Sequence, residues 1–478
     1  MSLSSLAFIA FVLIVFGLFS ASPSPRWRRG VLLVGNLVFV GSHASRWTAL
    51  GPLAAYLAAG YVAIELVRRS GSRARLGVAI VAIVCGLLYL RGYWIVGAVP
   101  ALPFAYMTVG LSYIMFRILH LAIDFQETRP PEPLPILSYL SYTCNFLTLV
   151  SGPIQFFRDF RDGQDRIAAP LDRTAAEMAV RRVVGGYFKV LAVSSLAKAA
   201  FDAAHGALFA GAIPQSAAAP AAAATAALYL IYLYFNFSGY TDIVIGIGRL
   251  FGQTLPENFD RPFAARNFQD YWARWHMTLS AWFRIYMFNP LLLVLASWFP
   301  APRAMPLLGA AGFFVTFVAV GFWHGPTLPF VLLGMLFGFG ASGHKLWQLG
   351  MTRFLGRARY KRICDNPLYA YAARGLTFAY MALAMTCFWS SMEELAMIAA
   401  RLGWGGWLAA LALLAAASGV VMAAGDAAMR GVRALRRGTA TRRVPALIGD
   451  LSLSLQVVVI AIVVLAVLRP PEFVYQGF

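Results

Sequence analysis

Two histidines in an otherwise apolar chain have surroundings suited to proton chemistry. His324 sits in Phe322-Trp323-His324-Gly325-Pro326, and His276 lies in the aromatic and basic run Tyr271–Ser280. An imidazole ionises near neutrality, so it can take a proton from a hydroxyl and return it to a leaving group. The Gly-Pro step after His324 interrupts a helix ending there and lets the imidazole reach a cavity. A lone histidine in an apolar segment can equally be a packed, hydrogen-bonded group, and both roles stay open. Asp242 is a third candidate, because a carboxylate within an apolar span is costly and faces a cavity or a partner. It either lines a site together with Asn236 or pairs structurally with a nearby arginine such as Arg249. Trp323 is expected to pack beside His324.

Other chemistries lack their residues. There is no Walker loop, GxSxG, GxGxxG or HExxH, and no two histidines stand at i,i+4. No metal site is expected, and a nucleotide-hydrolysing pump is excluded. Cys85, Cys144, Cys364 and Cys387 show neither CxxC nor metal-ligand spacing and read as free thiols. His43 and His205 fall in expected external loops, His120 and His344 near helix ends.

The elements that must position these groups are membrane helices. Of 478 residues 60% are hydrophobic and 13% charged, against roughly half and a quarter in soluble domains. That balance excludes a soluble enzyme, a disordered chain and a secreted disulfide scaffold. Apolar runs long enough to cross about 30 Å of hydrocarbon recur throughout, with spans expected near 5–20, 31–42, 49–66, 77–98, 104–123, 185–203, 222–245, 286–300, 306–322, 368–390, 405–425 and 446–468. The fold class is therefore all-α: a polytopic membrane protein of about twelve transmembrane helices plus re-entrant and interfacial helices, in a single domain over 1–478. The net charge of +20 comes from Lys and Arg clustered between apolar runs, as at Arg26–Arg29 and Arg353–Arg362. Positive-inside topology explains that placement without nucleic acid and puts both termini outside. Met1–Ser5 carries no charge, so residues 6–20 read as a retained helix rather than a signal peptide.

Five stretches depart from simple crossings. Residues 136–156 and 324–347 are apolar but interrupted by Gly and Pro, and both read as re-entrant segments. Trp272, Trp275, Leu279 and Trp282 share one helical stripe, which suits an amphipathic interfacial helix with Trp toward lipid or protein and Arg274 and Arg284 toward headgroups. The Ala-rich stretch 217–227 reads as a loop entering a helix, and Glu393-Glu394 as an external loop. Broken helices and an intramembrane Asp would also fit a conduit without chemistry of its own, although no internal repeat supports that.

Several motifs in order carry a resemblance: Ser151-Gly152-Pro153-Ile154, Gly239-Tyr240-Thr241-Asp242, Pro256-Glu257-Asn258-Phe259, the run Tyr271–Ser280, Trp282-Phe283-Arg284 and Trp323-His324-Gly325. Together they resemble the membrane-bound O-acyltransferase (MBOAT) family, on the bacterial branch that includes alginate O-acetylation and teichoic acid D-alanyl transfer proteins. The motif-bearing core covers about 110–347, and Glu472-Phe473-Val474-Tyr475 resembles the family's C-terminus. The resemblance implies a bacterial inner-membrane enzyme whose helices surround a funnel. It moves an acyl group, expected to be acetyl, from a cytoplasmic thioester to a hydroxyl of an extracytoplasmic polysaccharide or other envelope glycan. His324 matches the residue expected to catalyse and His276 the one that supports it. Asn236, Tyr240, Asp242, Trp275, Arg284 and Trp323 are the expected substrate contacts. No bound cofactor is implied; the donor is acyl-CoA or a carrier-protein thioester, and an acyl carrier protein or an extracytoplasmic acyltransferase is an expected partner. D-Alanyl transfer from a carrier thioester is the alternative. The chain departs from the family at Ile285, where Asp is usual, and after Pro290, where the alginate-type Gly-Gly-Asn-Arg is replaced by Leu291–Leu295.

Overall fold

A computed structural model describes residues 5–167, 172–210, 213–438 and 443–466. The described chain is helical, with one isolated β-bridge between Phe259 and Trp275. It folds as two compact units, the first from residues up to Val190 with Asn236–Glu257, the second from Leu191–Phe235 and from Asn258 onward.

The helices of the first unit are α1 (Leu6–Ser20), α2 (Pro25–Gly41), α3 (Gly51–Ser70), α4 (Arg73–Leu90), α5 (Leu111–Thr128), α6 (Ile136–Thr143), α7 (Phe157–Arg166) and α8 (Arg173–Tyr187). A π-helical turn at Phe188–Ser194 leads to α9 (Ser195–Phe209), followed by α10 (Ala218–Leu250). Then come α11 (Phe268–Trp272), α12 (Met277–Phe283), α13 (Asn289–Trp298), α14 (Met305–His324), α15 (Leu328–Leu355), α16 (Arg357–Asp365), α17 (Pro367–Ala384), α18 (Thr386–Trp389), α19 (Met392–Gly438) and α20 (Arg443–Ala466). A helix lies at each of the twelve expected span positions. Among the described residues, seven stretches are long and apolar enough to cross a membrane: Trp47–Ser70, Arg73–Leu90, Arg173–Phe209, Gln215–Leu250, Met277–Trp298, Met305–His324 and Met392–Val432. The chain is thus an all-helical, multi-pass membrane protein.

In the first unit α3, α4 and α5 pack together. The expected break at 136–156 is present: after the eight-residue α6 the backbone runs irregularly through a buried stretch. Freed carbonyls in such a stretch need donors other than water. Fully buried Arg117 of α5 supplies them, donating to Tyr142 O at 3.1 Å, Thr143 O at 2.7 Å, Thr148 O at 2.7 Å and Thr148 Oγ1 at 2.6 Å. Asn36 of α2 braces the same stretch, donating to Ser141 O and accepting from Phe146 N.

The second expected break is corrected. Residues 328–355 form one continuous helix, so 324–347 is not re-entrant, and the interruption is confined to the three residues after His324. The glycines there serve close approach between α14 and α15. A Cβ on Gly321 would lie 2.5 Å from Gly334 Cα and 2.4 Å from Phe330 O. Small residues that let two backbones meet are the usual device of membrane helix packing.

Four smaller expectations also change. The Ala-rich stretch is helix from Ala218 rather than loop, as alanine's propensity favours, with Pro220 tolerated in the first turn. Residues 104–110 are not helical; α5 starts only after left-handed Gly110. Ser391 and Glu394 form a reciprocal capping box at the start of α19, Ser391 N donating to Glu394 Oε2 and Glu394 N to Ser391 Oγ, so Glu393 and Glu394 are a helix first turn. The Trp stripe does not lie on one interfacial helix, because α11 and α12 are separate and all three Trp side chains are buried in the protein. The C-terminal match at Glu472–Tyr475 lies outside the described residues.

Gly321→Ala should destabilise the protein by about 1–3 kcal/mol through overpacking. Gly309→Ala on the same helix, where no atom lies within 4 Å of an added Cβ, should be neutral or stabilising by up to about 1 kcal/mol. Thermal unfolding of both variants in detergent checks the contrast.

Candidate active site

His276 owes its position to a short backbone pairing between two sequence motifs. Asp260 N donates to Arg274 O at 2.9 Å, and Met277 N donates to Asn258 O at 2.9 Å, on either side of the Phe259–Trp275 bridge. The loop carrying Pro256–Phe259 is thereby tied to the break between α11 and α12. At that break His276 adopts a left-handed backbone, φ 43°, a region that non-glycine residues enter only when the surroundings impose it.

Asn258 supplies the imposition. Its Oδ1 accepts from Thr278 N at 3.2 Å and from Thr278 Oγ1 at 2.8 Å, which caps the first turn of α12. The side chain is 0% exposed, and its Nδ2 makes no hydrogen bond among the described residues. Sequence reasoning placed Asn258 in a motif without giving it a role. The signal that could have found it is an amide-bearing residue in a loop next to a helix start that lacks a Ser, Thr, Asp or Asn cap of its own.

His324 closes α14 and is 4% exposed; His276 is 2% exposed. Although 48 positions apart in sequence, the two imidazoles lie close enough for a charge on one to act on the other. Aromatic rings surround His324: Trp323 at 4.7 Å between centroids, Phe388 edge-on at 5.3 Å, and Phe330 nearly parallel at 6.4 Å. Phe330 reaches that position only because residue 325 is glycine; a Cβ there would sit 2.3 Å from its ring. Trp275 stacks on Tyr271 at 5.5 Å and meets Phe259 edge-on at 5.1 Å. In the second unit His276, His324, Trp275 and Trp323 are all buried.

Arg284 is exposed and lines an apolar cavity of about 450 Å³ with Trp272, Phe313 and Phe317. Arg274 does not face headgroups. It donates to Asp270 Oδ1 at 2.8 Å and pairs with Asp260 at 3.3 Å, which braces the loop.

Asn236, Tyr240 and Asp242 belong to the first unit. Asn236 is fully buried, and the Tyr240 hydroxyl accepts from Ser151 N at 3.3 Å, joining two of the motifs. Asp242 bonds Arg182 at 2.9 Å and Lys189 at 2.6 Å, while Arg249 reaches Glu257 instead. Arg182 bridges Asp242 and Glu257, and its hydrogen bonds hold the Glu257 carboxyl below the usual carboxylate range. Among the described residues no group of three His, Cys, Asp or Glu side chains could hold a metal ion.

With the histidines placed, the comparison with known proteins is decisive. Residues 124–371, just over half the chain, match the family model of the membrane-bound O-acyltransferases (MBOAT). The chain belongs to this family. It is 29% identical over 231 residues to the teichoic acid D-alanyltransferase of Bacillus subtilis, covering 48% of this chain and 56% of that protein. It is 27% identical over 304 residues to the probable alginate O-acetylase AlgI of Pseudomonas syringae, covering 63% and 53%. A peptidoglycan O-acetyltransferase of Helicobacter pylori is 38% identical over 126 residues, covering 26% and 22%. The chain spans about half the length of the curated relatives it matches. Both histidines and the Asn258 loop fall inside the MBOAT match.

Arg182→Ala leaves Asp242 bonded to Lys189 and should cost about 2 kcal/mol of stability, read by thermal unfolding. Glu257 has a lowered pKa, so its pairing stabilises above the unfolded carboxyl value and is lost as pH falls through the folded one. Glu257→Gln should therefore lower the melting temperature at pH 7, and the difference from wild type should shrink below about pH 4.

Proposed function

We propose that this MBOAT protein is an O-acyltransferase that moves an acyl group, acetyl in the first instance, from a cytoplasmic thioester to a hydroxyl of an extracytoplasmic glycan. The observation that carries this reading is the pair of buried histidines, one at a helix end and one at a helix break, held within electrostatic reach inside an aromatic enclosure. The relatives' names support a glycan or cell-envelope acceptor, since they refer to alginate, peptidoglycan and teichoic acid. A bacterial inner membrane suits such an acceptor. The D-alanyltransferase among the relatives supports a second version, in which a carrier-protein thioester delivers D-alanine.

In the mechanism we favour, His324 accepts the proton of the acceptor hydroxyl as its oxygen attacks the thioester carbonyl carbon. His276 orients the substrate or shares the proton. The Nδ2 hydrogens of Asn258 donate to the oxyanion that forms, in a site from which water is excluded. Collapse breaks the carbon–sulfur bond, and the departing thiolate takes the proton from the His324 imidazolium. The products are an O-ester and a free thiol, so atoms and charge balance. Trp323, Phe330 and Phe388 limit the volume around His324, which keeps out water that would otherwise hydrolyse the thioester.

The test is transfer of label from radiolabelled acetyl-CoA, or from D-alanyl carrier thioester, to extracted envelope glycan by purified protein. His324→Ala should lower turnover by about 10²–10⁴-fold while the protein stays folded; a folded His324→Ala protein acylating at the wild-type rate would sink the assignment. Asn258→Asp keeps the acceptor for Thr278 but removes the N–H pair. It should lower kcat by about 10²–10³-fold with KM for the donor little changed, and wild-type kcat would remove Asn258 from the mechanism.

A further inference from the structure

His205 takes no part in the chemistry above, yet a line of contacts leads from it to His324. The sequence places it in an external loop; the structure puts it on α9, one turn before that helix ends. Its Nε2 stands 3.3 Å from Glu394 Oε1 in the first turn of α19. The other oxygen of that carboxylate accepts from Ser391 N at 2.9 Å. Both oxygens are therefore engaged, and the capping box that fixes Glu394 also fixes the imidazole paired with it.

Trp389, the last residue of α18, meets the His205 ring edge-on at 5.1 Å between centroids, with Phe201 of α9 at 5.3 Å and Tyr229 of α10 at 6.1 Å. Its Nε1 is buried and makes no hydrogen bond among the described residues. The indole thus serves as a wedge against α9 and α10 rather than as a donor. The residue before it, Phe388, stands edge-on to His324 at 5.3 Å and to Phe330 at 5.5 Å. All of these residues belong to the second unit. The element that joins the two contacts, α18, is four residues long. A single turn does not hold its own shape, so the direction of Phe388 depends on what anchors its neighbour Trp389.

We propose that Trp389 and His205 are positioning residues for acyl transfer: the His205–Glu394 pair clamps the Trp389 indole, and α18 in turn holds Phe388 against the His324 imidazole. The inference rests on His324 being the base of the transfer. A base must be held to within about 0.5 Å of its productive place, and a misplacement of about 1 Å costs on the order of 10²-fold in rate. Neither His205 nor Trp389 touches His324, so both act only through Phe388.

Label transfer from acetyl-CoA, or from D-alanyl carrier thioester, to envelope glycan would be measured for full-length variants at equal concentrations of folded protein. Trp389→Ala should lower kcat by about 10–100-fold with KM for the donor little changed. Trp389→Phe keeps a ring and gives up only the unbonded N–H, so it should recover most of that loss. His205→Ala should lower kcat in the same direction, which covers the case of a poorly folding Trp389→Ala. The deciding comparison repeats both substitutions in the His324→Ala background. Residues that act through His324 have nothing left to act on there, so neither substitution should reduce the residual rate further. Wild-type kcat in both folded single variants overturns the proposal, and so does an equal fold-loss in the two backgrounds, which marks a general structural role. Either result leaves the acyl-transfer reading intact if His324→Ala is impaired. A folded His324→Ala protein acylating at the wild-type rate sinks that reading and this inference together.

Discussion

A helix interrupted away from water must give its freed amides and carbonyls to other protein groups, and the breaks after α6 and before α12 are built on that constraint. Each leans on a buried polar side chain. Arg117 takes the carbonyls at the end of α6, and Asn258 takes the amides at the start of α12. An unsatisfied group in either place would cost several kcal/mol, so these contacts decide whether the irregular backbone can exist at all. The second break changes the direction of a side chain. A continuous helix through Trp275–Met277 would direct the side chain of residue 276 along the regular face, whereas the left-handed turn redirects it.

The two capping residues differ in what they have left over. Arg117 donates from both terminal nitrogens to carbonyl oxygens and to the Thr148 hydroxyl. Asn258 spends its oxygen on Thr278 and keeps an amide nitrogen buried without a bond among the described residues. A buried donor without an acceptor is a cost to folding. The proposed oxyanion role would give that donor an acceptor. The ion-paired Asp242 shows the opposite case: Arg182 and Lys189 both bond it, and its place in the protein is accounted for by those pairs.

Much was legible in the chain because local rules act within a few residues. Membrane helices follow from runs of apolar side chains, and the break after His324 follows from Gly325-Pro326. The motif strings also singled out His276 and His324. The errors have a common origin. Intrinsic tendency makes the glycines of 324–347 look like breaks and the alanines of 217–227 like a loop, but Gly334 and Gly338 serve packing of α15 on α14, and the alanines follow helix propensity without a competing turn. The Trp stripe obeyed helical spacing on paper, yet pairing between residues 258–260 and 274–277 interrupts it. That pairing is non-local and leaves no periodic mark.

By itself, then, the sequence determined a multi-pass all-helical protein, the family to which it belongs and the residue types able to do proton chemistry, because hydropathy, charge placement and motif strings are properties of neighbours along the chain. Tertiary structure alone decided that the imidazoles of residues 276 and 324 come within electrostatic reach, that Asn258 caps the helix start next to His276, and that Asp242 is consumed by Arg182 and Lys189. Those outcomes depend on which distant segments pack against one another. The free energy that selects them comes from close backbone approach and from satisfying polar groups out of water, and both are absent from any single stretch of sequence.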